Sequence, residues 1–363
     1  MRSFRCSALV ALAFTSFSCA TSEPPPAAAP APLAPQPPEP AHATAPSPAL
    51  APSPEESKKA EEQRKLQADF AELERHHQAE LARFTPELRK QGQELAQKSY
   101  PSMRAALTAA LKSPHREPDS AARDAQRHPL ETLEFLGIRP NQHVLEYGPG
   151  EGWYTELLSP ALAKNGKLYV TTADPNGAKT ERSTLYGVRT KYFLDKAPEV
   201  YGGVERVVID PKNPKLGLDG KLDAVLVFRG LHGMHNNKLL GAWLAEFHRA
   251  LKPNGILGIE QHRAAAGQNV DEASKRGYLP EAYVVEQIQA AGFKLAGKSE
   301  INANPKDTKD HPEGVWSLPP TLREGDKNRD KYLAIGESDR MTLKFVKVAP
   351  PKAAPTSKSD SAP

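Results

Sequence analysis

Strands alternating with helices predict a doubly wound α/β fold, an open and mostly parallel sheet covered on both faces. Three observations carry that reading. Residues 143–147 (His-Val-Leu-Glu-Tyr) run straight into glycines at 148, 150 and 152 and then into a helical pattern ending at Leu162. Six further short apolar runs follow, at 167–172, 206–209, 222–228, 256–260, 293–298 and 340–348. Stop signals punctuate the set: Lys252-Pro253-Asn254-Gly255 after a helical stretch at 237–251, and Gly292 after another at 281–291.

The ends of the 363-residue chain do not read as globular. Arg2 and Arg5 precede an uncharged apolar run at 8–17, which makes residues 1–19 a signal-peptide pattern too short to span a bilayer. Cys19 closes the run as the candidate lipidated cysteine of a bacterial lipoprotein, with cleavage after Ala20 as the alternative. Residues 20–54 are almost wholly Ala, Pro, Ser and Glu, a composition that buries no core and predicts an extended spacer. Residues 349–363 predict a similar tail. The expected location is outside the cytoplasm, periplasmic and held to the membrane only through Cys19, or else secreted.

Residues 55–113 predict a helical arm. Leu66, Phe70, Leu73, His77, Leu81 and Phe84 fall three or four apart and make one apolar stripe. The heptad slips after His77, which favours an arm packed on the domain over a coiled coil. His76 and His77 then read as solvated. Thr85-Pro86 caps and opens a second helix, and Tyr100-Pro101 a third. Residues 114–348 form the α/β domain, entered through a helix at 130–136.

The two cysteines, Cys6 and Cys19, both precede the folded part. That removes disulfides, thiolate metal sites and cysteine nucleophiles from consideration. Net charge is +4 and no basic tract carries interleaved aromatics, so nucleic acid is not the expected partner.

The glycine turn decides the ligand class. A dinucleotide fingerprint requires Gly-x-Gly-x-x-Gly, and Trp153 stands at its last glycine. The spacing Glu146-x-Gly148-x-Gly150-x-Gly152 instead resembles the first motif of class I S-adenosylmethionine-dependent methyltransferases. Further phrases are similar to a family of exported bacterial methyltransferases: Arg123-Asp124, Arg127-His128-Pro129, Gly152-Trp153-Tyr154-Thr155, Leu251-Lys252-Pro253-Asn254-Gly255, His262-Arg263 and Ala291-Gly292-Phe293. The likeness runs from about Pro114 to Val348. It departs at Asn254, where glycine is common, and asparagine tolerates the left-handed backbone of such a turn. The resemblance implies a Rossmann-like sheet of seven strands, the last antiparallel beside the sixth. It also implies S-adenosyl-L-methionine as cofactor and a small-molecule acceptor.

The resemblance places the cofactor on Glu146, Gly148, Pro149, Gly150 and Gly152. An acidic residue is expected to end the second strand and take the ribose hydroxyls. Thr172 stands there and Asp174 is the nearest carboxylate, so one of them has that task. Asp210, ending the third strand, is either an adenine contact or a turn cap before Pro211. His232 and His262 follow the fourth and fifth strands as candidate proton acceptors, with backbone hydrogen bonding as their other reading. His232-x-x-His235 with His262 is weighed as a metal site and set aside, because nothing fixes a geometry. Asp124, Arg127, Trp153, Tyr154 and Arg229 are candidate substrate contacts, with an Arg–Asp ion pair as the alternative for the first two. The long segment 299–339, centred on Trp316, predicts an ordered flap over the site. The expected function is methyl transfer to oxygen or nitrogen of a small molecule. The second reading is a non-catalytic binding module on the same fold.

Overall fold

Ser53 caps the first helix, α1 (Pro54–Arg83): its hydroxyl accepts from the Glu56 N–H while the Glu56 carboxylate accepts from the Ser53 N–H. The helix thus takes in Pro54, one residue inside the expected spacer. The computed structural model describes residues 53–210 and 212–348. The signal-peptide reading, the spacer before Ser53 and the tail from 349 lie outside the described residues.

Thr85 caps α2 (Pro86–Gln97), with proline in its first turn as expected. Ser102, not Pro101, opens α3 (Met103–Leu111), because its hydroxyl accepts from the Ala105 N–H. Ala106, Leu107 and Ala110 of α3 are buried in one cluster with Leu133, Val144 and Leu157, so the arm shares the domain's core. Leu107→Ala is expected to cost about 2–5 kcal/mol, as cavity-forming core truncations do. Urea unfolding checks this, and one cooperative transition moving to lower denaturant is the expected trace.

Three short helices, α4 (Pro118–Ala121), α5 (Asp124–Arg127) and α6 (Pro129–Leu136), lead into β1 (His143–Tyr147). Then follow α7 (Thr155–Leu162), β2 (Lys167–Thr172), α8 (Arg182–Asp195), α9 (Pro198–Tyr201) and β3 (Glu205–Val208). The second half runs β4 (Leu222–Phe228), α10 (Leu231–Asn236), α11 (Leu240–Ala250), β5 (Leu251–His262), α12 (Val270–Lys275), α13 (Glu281–Ala290) and β6 (Phe293–Ser299). It closes with α14 (Arg329–Ile335) and β7 (Arg340–Lys347).

The strands form one seven-stranded sheet in the order β3-β2-β1-β4-β5-β7-β6, parallel except for β7, which is antiparallel to both neighbours. This is the class I methyltransferase order. Alternation along the strands sorts the core onto two faces. Val144, Ala224 and Leu226 meet α3, α6 and α7, whereas Leu145, Val225 and Val227 meet α11 and α13.

The expected helix at 237–251 begins only at Leu240, because Lys238 takes a left-handed backbone (φ 60°) and separates α10 from α11. The turn 252–255 lies inside β5 as an irregularity: Leu251 pairs with Leu222, and the next pair is Ala224 with Ile256. Asn254 there has φ 61°, the conformation its position demands.

Candidate active site

The strand order reverses between β1 and β4, and in such sheets ligands bind beyond the carboxyl ends at that point. A cavity of about 860 Å³ opens there. Its floor is the glycine loop, its walls are the ends of β4 and β5, and the arm helix α1 and the flap around Trp316 enclose it.

Gly148 (φ 59°) and Gly150 (φ 63°) line the cavity, and a Cβ built on either meets no heavy atom within 4 Å. These two glycines, with Pro149 between them, present bare backbone to open space. The loop is pinned from below, where the Gly148 N–H donates to Thr171 Oγ1 at 2.8 Å. Gly152 differs. A Cβ there would sit 2.3 Å from Phe193 Cε2, so this glycine is bare to admit α8 and does not line the cavity.

Glu146 lies beneath the loop, 2 % exposed and outside the cavity lining. It accepts a 2.7 Å hydrogen bond from the Thr155 hydroxyl. Burial pushes its carboxyl up to about 7, against the pull of Thr155 and Arg229. Its place is under the turn, holding strand to helix, rather than against a ligand.

The expected ribose and adenine contacts are not in the cavity. Thr172 is buried and donates to the Ala173 carbonyl at 3.0 Å. Asp174 is exposed and accepts from the Asn176 N–H at 2.8 Å in a local turn. Asp210 accepts from the Lys212 N–H at 2.9 Å, which is the turn-cap alternative. The physical reason is α8, whose Gly187 approaches so closely that a Cβ would lie 2.6 Å from the Ala173 oxygen. That helix packs against the backbone after β2, and Asp174 is left in an exposed turn outside the cavity.

Of the expected substrate contacts, Arg127, Trp153, Arg229 and Trp316 line the cavity, while Asp124 and Tyr154 do not. Asp124 takes the ion-pair alternative, with Arg116 rather than Arg127, at 2.6 and 2.9 Å. Tyr154 stacks on Phe228 at 3.6 Å, and its hydroxyl donates to Glu260 at 2.8 Å. Burial and the Glu260 charge keep that phenol protonated. Trp316 packs edge-on to His232 at 6.0 Å while facing the cavity, so the flap both lines and closes the site.

The two histidines are neighbours, with ring centroids 6.1 Å apart, but only His262 reaches the cavity. Its Nδ1 lies 2.5 Å from Ser338 Oγ. Burial, then the neighbouring His232 and Arg229, push its pKa well below the usual imidazole value. His232 stands behind it, Nδ1 3.3 Å from Gln261 Nε2, also lowered by burial. His235 turns elsewhere, to the Tyr283 hydroxyl at 2.8 Å and Asp271 at 2.9 Å.

Several lining residues carry no sequence signal. Glu337 and Ser338 precede β7, and Glu337 binds Arg123 at 2.7 Å and Arg127 at 3.1 Å across more than two hundred residues. Burial opposes its charge, yet Arg340 and Arg123 hold its carboxyl below the usual range. Arg123 belongs to the family-like pair Arg123-Asp124, but only its pairing with Glu337 marks it as part of the cavity. The arm is the larger surprise. His76 and His77 of α1 line the cavity, and His77 stacks on Tyr192 of α8 at 4.0 Å rather than standing free in solvent. The contact is held by Asp69–Arg182 at 2.9 Å and Glu80–Lys196 at 2.9 Å.

The bare glycine loop beside an open cavity fits the cofactor implied by the sequence. The carboxylate expected for its ribose is not supplied from β2.

Residues 121–295 match a protein-family model described as a methyltransferase domain. Among solved structures, the chain is similar to an S-adenosylmethionine-dependent methyltransferase from Aquifex aeolicus, at 18% identity over 64% of this chain and 94% of that one, with a TM-score of 0.42. It is similar to the [4+2]-cyclase SpnF, at 17% identity over 62% and 82%, with a TM-score of 0.42. A third likeness is the 1,6-didemethyltoxoflavin-N1-methyltransferase of Burkholderia thailandensis, at 15% identity over 68% and 88%, with a TM-score of 0.39. No curated protein matches.

Proposed function

This chain carries a class I S-adenosylmethionine-dependent methyltransferase domain, and from that premise we propose that it methylates oxygen or nitrogen of a small-molecule acceptor, with His262 taking the acceptor's proton. The observation that supports this most is the meeting of the bare backbone at Gly148 and Gly150 with His262 in one cavity.

S-adenosylmethionine, when bound, supplies a methyl group already activated on a sulfonium. The protein's own tasks are then alignment and removal of one proton. Burial keeps His262 neutral near pH 7. With Nδ1–H donating to Ser338 Oγ, Nε2 is the nitrogen left to accept a proton.

Calorimetric titration of the full-length protein with S-adenosylmethionine and S-adenosylhomocysteine tests the reading. No heat from either ligand would sink it. With an acceptor pool that supports turnover, His262→Ala is expected to lower kcat by about 10²–10⁴-fold and leave S-adenosylhomocysteine affinity unchanged. Since the neutral imidazole is the active form and its pKa is depressed, kcat should be flat above pH 6.5 and fall only on the acid side of that value. A wild-type acid limb centred above pH 6.5 would remove His262 from the role.

The signal-peptide pattern of residues 1–19 supports export with a lipid at Cys19. Mass spectrometry of the mature amino terminus distinguishes a lipidated Cys19 from cleavage after Ala20.

A further inference from the structure

Three guanidinium groups line the cavity on the side of β4 and β7: Arg123 and Arg127 flanking α5, and Arg229 just past β4. One buried carboxylate meets them, and it is shared. Glu337 lies 2.7 Å from Arg123, 3.1 Å from Arg127 and also pairs with Arg340. Arg340 has one other carboxylate, Glu260, at 3.2 Å. Four guanidinium groups therefore have two buried carboxylates as ion-pair partners, and the third buried carboxyl that Arg229 acts on, Glu146, lies beneath the glycine loop outside the cavity lining. Asp119 and Glu151, which also line the cavity, are exposed and screened by water, and the lining acids of the arm side, Asp69, Glu72, Glu80 and Glu117, pair with Arg182, Arg75 and Lys196 instead.

The excess positive charge is not spread evenly. Arg127 is 3 % exposed, and its Nη1 has no hydrogen-bond partner among the described residues. Its guanidinium lies over the Trp153 ring at 4.6 Å, which fixes its plane but satisfies no N–H. Arg229 forms no ion pair among the described residues, and its backbone is held at φ 59° with its N–H on the Glu260 carbonyl at 2.6 Å. A buried guanidinium N–H without an acceptor is costly, and an oxyanion is the group whose geometry suits such forks.

Position separates this cluster from the glycine cradle. The cradle follows β1, whereas Arg229 follows β4 and Glu337 precedes β7, on the side where His262 stands. We propose that Arg123, Arg127 and Arg229 recognise an oxyanion, a carboxylate or phosphate, on the methyl acceptor, so that the acceptor is a small organic anion. This rests on the methyl-transfer reading for the word acceptor, but the anion site itself does not.

The test uses the full-length protein saturated with S-adenosylhomocysteine and follows tryptophan fluorescence, since Trp153 and Trp316 line the cavity. The probes are benzoate and phenyl phosphate, with benzamide as the neutral control. At least one anion is expected to quench saturably while benzamide does not. Arg229→Gln should weaken that anion about tenfold or more, with Arg229→Lys recovering part of the loss. Arg229 is half-buried and unpaired, so its variants are expected to keep the wild-type melting temperature. No saturable change from either anion, or equal response to benzamide, overturns the proposal.

A second arm asks whether the anion belongs to the cofactor instead. Decarboxylated S-adenosylmethionine is expected to compete as well as S-adenosylmethionine, with Arg229→Gln leaving both unchanged. If the wild type favours the carboxylate-bearing form tenfold and Arg229→Gln erases that preference, the cluster holds the cofactor's own carboxylate and the proposal falls. A wild type that binds benzoate but neither adenosyl ligand would defeat the methyl-transfer reading while leaving the anion site standing.

Discussion

Replacing Arg340 with methionine is expected to lower the stability of the fold by about 3–5 kcal/mol, the cost of leaving buried charge without its partner. Arg340 is almost wholly buried and stands between two buried carboxylates, Glu337 and Glu260. Its Nη2 also donates to the Gln126 carbonyl at 2.5 Å. The contact with Glu260 is close but not aligned: Arg340 Nε and Glu260 Oε1, 3.2 Å apart, each lack a hydrogen bond among the described residues. The attraction there is Coulombic, and in a dry interior it has no water to replace it. Removing the cation leaves Glu260 only the hydroxyl of Tyr154. The double variant Arg340→Met with Glu260→Gln should recover part of the loss, because it removes the charge that the single variant strands. Denaturant unfolding of the two variants beside the wild type decides it. A single variant within about 1 kcal/mol of wild type would show that the pair contributes little.

Gly150→Val is expected to weaken S-adenosylhomocysteine binding at least about a hundredfold, because its side chain would occupy the open space proposed for the ligand. At φ 63° a side chain is strained by about 1–2 kcal/mol. Yet nothing in the protein lies within 4 Å of that Cβ, so the fold should survive. Gly152→Ala is the contrasting case. Its Cβ would meet Phe193 at 2.3 Å, so it should lower the melting temperature by shifting α8. Calorimetry and thermal melts on both variants separate the two effects. Wild-type affinity in Gly150→Val would mean that the cradle is not the binding surface.

Much of the architecture was legible because local chemistry and tertiary context agree. The run 143–147 places one aliphatic residue on each face, and in the structure Val144 and Leu145 enter opposite cores. Asn254 reads as a left-handed turn residue and is one. No local pattern announces α8, since Gly187 and the threonines at 184 and 190 blur its apolar period, while its burial depends on glycine meeting the Ala173–Pro175 backbone. The same helix accounts for the ribose-side residues: packed on the backbone after β2, it leaves Thr172 buried and Asp174 in an exposed local turn, both outside the cavity. The cavity's charges were unreadable for another reason. Glu337 acquires its meaning from Arg123 and Arg127, and no spacing rule links groups more than two hundred positions apart. His262 was visible because it ends a strand, where the fold brings residues to the crevice.

The arm changes how the site can be disturbed. Thirty residues of helix make a rod about 45 Å long. Its first turns stand in solvent, while its later turns form the cavity's side through Leu73, His76 and Glu80. One continuous helix therefore joins a solvent-facing end at Pro54 to a side of the cavity at Glu80, so a substitution that bends α1 between them is a change to the chamber itself.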